Sequence, residues 1–147
     1  MKYLHTMVRV TDVEASLDFY VNKMGMVQTK RNDYESGRFS LIFLTADEDA
    51  AQVASERAPE LELTYNWDGD EEYTGGRNFG HLCYSVKNIY EYCQRMQDAG
   101  VTINRPPRDG RMAFFKSPDG ISFEILQQGE PLPAAEPWAS MENTRSW

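Results

Sequence analysis

A chain of 147 residues with a net charge of -8 and a sequence pI near 4.7 repels polyanions, which argues against a nucleic-acid partner or an anionic membrane surface. No stretch approaches the roughly 18 apolar residues of a membrane span, and Met1 to His5 carries no apolar run after its single Lys, so a soluble, unexported, cytoplasmic protein is expected. The length suits one domain with a substantial core, and the two cysteines, Cys83 and Cys93, make no CxxC pair, which reads as reduced thiols rather than a disulfide.

Met1 to Val10 alternates, with His5, Met7 and Arg9 on one face and Leu4, Thr6, Val8 and Val10 on the other, and predicts a strand. Thr11 to Glu14 has the S/T-x-x-E form of a capping box and predicts a helix start at Thr11. Val13, Leu17, Tyr20 and Met24 give that helix one apolar stripe, and Gly25 stops it. Strands are predicted over 26–31, 38–45 and 61–65, the first two joined by the polar turn 32–37. Residues 46–60, acidic and rich in alanine, read as an exposed loop able to hold a short helix. Residues 68–77, centred on Gly75 and Gly76, read as a linker.

Phe79 to Val86 predicts a second opening strand, and Asn88 followed by Glu91 a second helix start. Ile89, Cys93 and Met96 form its stripe and Gly100 its stop. Counting from each histidine exposes a repeat: Val10 and Val86 stand five on, Asp12 and Asn88 seven on, Leu17 and Cys93 twelve on. Strands over 101–104, 112–116 and 121–127 complete the copy, with turns at Pro106-Pro107 and Ser117 to Gly120. The expected fold is α+β: two paired β-α-β-β-β modules, 1–67 and 78–128, joined by linker 68–77 and forming a pseudosymmetric sheet assembly. Residues 129–147, with three prolines, form a tail expected to be extended and either docked or loose.

Each module carries one of the two histidines, His5 and His81, and ends in a Glu flanked by apolar residues, Glu62 and Glu124. On a strand, residues two apart share a face, so Glu62 stands with Thr64 and Asn66, His81 with Cys83, and Glu124 with Ser122 and Leu126. A strand extended back through the turn would also bring Arg77 to His81. A lone strand histidine is ordinarily a satisfied residue and a lone strand Glu a solvated one. Recurrence of both at matching places favours metal ligation by His5, Glu62, His81 and Glu124. Two imidazoles and two carboxylates suit Zn, Ni, Co, Mn or Fe(II) better than Mg or Ca. Arg9 also reads as a surface ion-pair partner and Asn66 as a turn cap. The cluster Arg77, Arg105, Arg108, Arg111 and Lys116 is either solvated turn chemistry or an anion pocket.

His5 to Val10, Glu62 to Trp67, Phe79-Gly80-His81, and Ser117 to Gly120 followed by Glu124-Ile125-Leu126 resemble the lactoylglutathione lyases (glyoxalase I) of the vicinal oxygen chelate superfamily, over residues 1 to about 128. The resemblance implies a homodimer in which His5 and Glu62 of one subunit meet His81 and Glu124 of the other around one divalent metal ion. It also implies glutathione as co-substrate, and isomerisation of the methylglyoxal–glutathione hemithioacetal to S-lactoylglutathione, a detoxification of methylglyoxal. Arg9, Asn66 and Arg77 match positions that hold glutathione, and Arg105 stands near a further basic one, although the 109–113 turn is shorter than in the family. Compact members of the family favour Ni or Co, with Zn the alternative.

In that chemistry the metal polarises the two substrate oxygens and stabilises the enediolate, while by analogy Glu124 moves the proton with Glu62 its partner on the opposite side, the reversed assignment being the alternative. The rivals on one scaffold are an epimerase, a thiol transferase, a metal-free drug-binding protein and an extradiol dioxygenase. The Arg9, Asn66 and Arg77 set speaks against the first two and four ligands against the third. The dioxygenase needs a 2-His-1-carboxylate site with open positions.

Overall fold

The structure, a computed structural model, describes residues 1–69 and 72–144. Asp70 and Glu71 of the expected linker and residues 145–147 of the tail lie outside the described residues. The chain divides into two compact units, the first from Met1 to Tyr73 and the second from Thr74 onward. Among the described residues no helix is long and apolar enough to cross a membrane.

The first unit runs β1 (His5–Arg9), α1 (Val13–Leu17), β2 (Val27–Tyr34), β3 (Phe39–Thr45), α2 (Ala50–Glu56) and β4 (Glu60–Asn66). Its sheet has the order β1-β4-β3-β2, with β1 and β4 parallel and the other pairs antiparallel. The second unit runs β5 (Leu82–Val86), α3 (Ile89–Asp98), β6 (Ile103–Arg105), β7 (Met112–Lys116) and β8 (Ser122–Gln127). Its order, β5-β8-β7-β6, again joins the opening and closing strands in parallel. The repeated β-α-β-β-β topology is therefore present, with α2 an addition to the first copy. Two mixed sheets with few helices make an α+β fold.

Alternation along β1 buries Val8 and leaves His5, Met7 and Arg9 exposed, as the pattern of side chains requires. Several boundaries differ from expectation. The first helix is capped by Asp12, not Thr11: Asp12 is extended (φ -140°) and its Oδ1 accepts from Ala15 N at 3.0 Å. A carboxylate at this position reaches the third helical N–H, so Thr11 is one residue too early and Glu14 falls in the first turn. Asn88 does the same for α3, accepting from Tyr90 N and Glu91 N. The count from each histidine, seven residues in both modules, marked these two caps better than the capping-box pattern did.

Beyond Leu17 the helix widens into a π-helical stretch, Asp18–Lys23, with Met24 N donating to Phe19 O five residues back. The wider turn brings Phe19 to the buried side beside Tyr20 and Met24, while Val13 and Leu17 stay half-buried. Strand β2 continues to Tyr34, so the expected 32–37 turn shrinks to residues 35–38, where Arg38 takes φ 54°. Strand β5 begins at Leu82. Residues 76–78 form a turn, which leaves Arg77 in that turn and not on a backward extension of the strand. In α3, Ile89, Cys93 and Met96 are all buried, and Gly100 follows at φ 82°.

The tail is docked on the second unit. Leu132 N donates to Gly110 O, Tyr90 Oη to Pro133 O, and Arg108 Nη1 to Met141 O and to Asn143 Oδ1. Thr144 N donates to Asn104 O along the edge strand β6, and Trp138 is 3% exposed. An apolar ring of that size buried in full contributes on the order of 2 to 3 kcal/mol.

Candidate metal centre

Glu62 stands in β4, two residues beyond Glu60, in the alternating run Glu60-Leu61-Glu62-Leu63 that buries both leucines and turns both carboxylates to the other face. Parallel pairing sets Met7 of β1 directly beside it, so His5, two residues earlier, lies on the same face. The imidazole meets the carboxylate there: His5 Nε2 is 3.2 Å from Glu62 Oε2.

The second unit repeats the arrangement. Cys83 of β5 pairs with Glu124 of β8, and His81, just ahead of the strand, puts its Nε2 3.2 Å from Glu124 Oε2. In both units the carboxylate is largely covered, 13% and 16% exposed, and the imidazole open, 44% and 42%. A covered acid beside an accessible base is a half-built ligand site, with its open side toward whatever completes it.

Each imidazole is steadied by a ring that the sequence did not single out. Phe43 on β3 faces Glu62 across the antiparallel ladder, and the His5 ring meets it edge-on, with centroids 6.0 Å apart and planes at 81°. Phe114 on β7 faces Glu124 in the same way, and the His81 ring meets it at 5.4 Å and 86°. Phe43 lies nineteen residues before Glu62 and Phe114 ten before Glu124, because α2 lengthens the first copy. Counting residues therefore hides the equivalence that strand register reveals.

The expected neighbours divide. Thr64, on the Glu62 face, donates to Glu62 Oε1 at a long 3.4 Å. Arg9 is the exposed last residue of β1, beside Thr64. Asn66 ends β4, and its amide donates to Tyr73 Oη at 3.2 Å. Arg77 is exposed in its turn. Arg105 is committed within its own hairpin, donating to Met112 O and to Asp109 Oδ2 at 2.9 Å. Burial alone would raise the Asp109 carboxyl, but hydrogen bonds from Arg105, Arg111 N and Met112 N hold it below the usual carboxylate range. Burial, and next the Glu124 carboxylate as hydrogen-bond acceptor, push the Cys83 thiol up to about 11.

The donor chemistry fits a cation. An imidazole Nε2 and a carboxylate oxygen both present lone pairs unless the imidazole carries its proton there, so a 3.2 Å approach calls for a proton or a cation between them. Two donors bound to one first-row ion at about 2.0–2.2 Å stand about 2.8–3.6 Å apart for angles from square to tetrahedral, and both pairs fall inside that range. Among the described residues no group of three or more His, Cys, Asp or Glu side chains gathers, so each unit offers a pair and not a complete set.

A duplicated β-α-β-β-β unit that brings one imidazole and one carboxylate together in each copy defines a class of paired-module proteins with a mixed nitrogen and oxygen donor set. The chain belongs to the Glyoxalase/Bleomycin resistance protein/Dioxygenase superfamily, whose sequence profile matches residues 2–125. It is 39% identical over 133 residues to a lactoylglutathione lyase of Neisseria meningitidis serogroup A, spanning 87% of this chain and 91% of that protein. It is 40% identical over 141 residues to a lactoylglutathione lyase of Pseudomonas aeruginosa, spanning 84% and 80%. Its fold is similar to the solved glyoxalase I of Leishmania major, which is described as trypanothione-dependent, with a TM-score of 0.76, 32% identity and 87% of each chain covered.

Proposed function

We propose that this chain is a lactoylglutathione lyase, isomerising the hemithioacetal of methylglyoxal and glutathione to S-lactoylglutathione in the cytoplasm. One observation carries the reading: the same His–Glu pair, at the same 3.2 Å, recurs at corresponding sheet positions of two units in a chain whose relatives bear that activity. In a homodimer, His5 and Glu62 of one subunit and His81 and Glu124 of the other would hold one divalent ion, Ni or Co by preference and Zn as the alternative.

When bound, such an ion supplies Lewis-acid polarisation of the two adjacent substrate oxygens. The protein's own groups do the rest. Glu124 takes the proton from the hydroxyl-bearing carbon next to the carbonyl and returns it to the neighbouring carbon, while the hydroxyl proton passes to the former carbonyl oxygen, so no net proton is exchanged. Glu62 would be its partner on the opposite side of the substrate. Both carboxylates are largely covered, which strips competing water from the base. Arg9, Asn66 and Arg77 hold the glutathione moiety, and Arg105 joins them by sharing the guanidinium that Asp109 now engages. The rival readings lack a comparable support: the bleomycin-resistance and dioxygenase names attach to the superfamily as a whole, whereas the relatives at 39% and 40% identity are lactoylglutathione lyases.

Metal-stripped protein reloaded with Ni, Co or Zn and given methylglyoxal with glutathione is expected to show the absorbance rise of a thioester. Absence of turnover with all three ions would overturn the assignment.

A further inference from the structure

Each half-site has a basic residue on its flank, and the same backbone device brings it there. Strand β2 carries one extra residue against β3: Gln28 pairs with Leu44 and Lys30 with Phe43, so Thr29 is bulged between them. Strand β6 repeats this against β7, with Ile103 paired to Phe115, Arg105 to Phe114, and Asn104 between them. Residues two apart on a regular strand share a face. Without the extra residue, Lys30 would lie on the core side of Leu44 and Arg105 on that of the buried Ile103. The bulge turns both to the other face, in line with the phenylalanine and the glutamate of their unit. The row is Lys30, Phe43 and Glu62 in the first unit, and Arg105, Phe114 and Glu124 in the second.

We infer that Lys30 is a substrate-binding residue of the His5–Glu62 half-site, taking a carboxylate of the glutathione moiety; this rests on the activity proposed above. Bulges beside functional sites re-aim a side chain, and one repeated at the same place in both units marks the basic group as what it delivers. The two cations differ in how they are engaged. Arg105 is closed within its hairpin by Asp109 and the Met112 carbonyl. The Lys30 ammonium stands 5.8 Å from the centroid of the Phe43 ring, the same ring that meets His5, and among the described residues it makes no ion pair or hydrogen bond. A ring face steadies a cation without neutralising it, so the ammonium is held beside the half-site with its three donors open. A carboxylate answers that geometry with a charge-assisted hydrogen bond.

The test uses the full chain, with turnover of the hemithioacetal and, separately, calorimetric binding of S-methylglutathione, which is held but not isomerised. Lys30→Gln is expected to raise KM and the Kd of S-methylglutathione by about five- to tenfold, with kcat within about twofold of the parent, as for a contact made equally before and during the reaction. Added salt is expected to shrink the difference, and Lys30→Arg, which keeps the charge, to recover most of the loss. Ni2+ affinity, read by competition with a chromophoric chelator, is expected to be unchanged in Lys30→Gln. Glutathione esterified at its glycyl carboxylate then names the group bound: the loss disappears with the ester if Lys30 takes the glycyl carboxylate, and persists if it takes the γ-glutamyl one. KM and Kd that stay at parent values in Lys30→Gln would overturn the inference and leave the proposed activity standing. So would a loss that Lys30→Arg fails to relieve, or Ni2+ affinity falling in step with it, since Lys30 would then merely support Phe43 and His5. A parent protein that neither turns over nor binds S-methylglutathione would instead overturn the underlying reading, and this inference with it.

Discussion

Gly110 is where a single missing carbon decides how the tail is seated. Its φ of 63° already disfavours any L side chain, and a Cβ built there would lie 2.0 Å from the Leu132 carbonyl oxygen, a backbone atom that cannot step aside alone. Gly120 has a similar φ of 79° with nothing within 4 Å. The pair separates conformational strain from collision. Gly120→Ala is expected to cost about 1–2 kcal/mol, the penalty of left-handed backbone. Gly110→Ala is expected to cost about 1–3 kcal/mol more, because it must also push the tail away. Urea denaturation reads the two costs, and a red shift in tryptophan emission reports Trp138 leaving its buried seat. Equal costs for the two variants would mean that the tail does not rest on Gly110. At this same scale the residues of the two His–Glu pairs and Thr64 were legible from types and alternation, whereas Phe43 and Phe114 were not: a phenylalanine in an apolar strand looks like core until the register puts it opposite a Glu.

Helix α3 was read correctly from its stripe because nothing interrupts its 3.6-residue period, and α1 was read imperfectly because its π-helical stretch changes the period midway. Periodicity carries no information about a hydrogen bond that skips five residues instead of four. The stripe of α3 also has an electrostatic consequence. Burial pushes the Cys93 thiol up to about 12 from its ordinary 9.0, and burial likewise pushes the neighbouring Tyr92 hydroxyl up to about 12 from 10.0. Both groups are neutral in the folded state and have folded values above their unfolded ones. Their contribution is therefore fully present below about pH 9 and is lost as pH rises from there toward 12, since the unfolded chain releases protons that the helix retains. Stability against urea is expected to be level near neutrality and to fall through this alkaline window, by up to about 1.4 kcal/mol per pH unit for each group. Cys93→Ala is expected to be less stable at pH 7, through the cavity it leaves, yet to lose less on going to pH 11. An unchanged alkaline slope in that variant would show that Cys93 ionises equally readily in both states.

For the whole molecule, the repeat was the most informative thing the sequence contained, because a repeated unit writes itself into spacing: the two caps and the two stripes fall at matched distances from the histidines, and the two glycine stops differ by a single position. Spacing alone is blind to how chains associate. Each unit contributes one His–Glu pair, a full set of four needs two such pairs, and the reading advanced above takes them from different subunits. That arrangement makes a prediction no single-chain site shares. His5→Ala and His81→Ala should each be nearly inactive as pure proteins, since every site in either homodimer lacks one imidazole. When the two are unfolded together, mixed in equal amounts and refolded with metal, half the dimers become hybrids. In a hybrid, the chain carrying His81→Ala lends its intact His5–Glu62 pair and the chain carrying His5→Ala lends its intact His81–Glu124 pair, so one site is whole and the other lacks both imidazoles. Random pairing of a twofold dimer therefore gives back about one quarter of the parent activity, and size measurement by light scattering should find the active species at dimer mass. If both pairs of a site came from the same chain, no mixture could assemble an intact set, and the refolded sample would stay as inactive as its components.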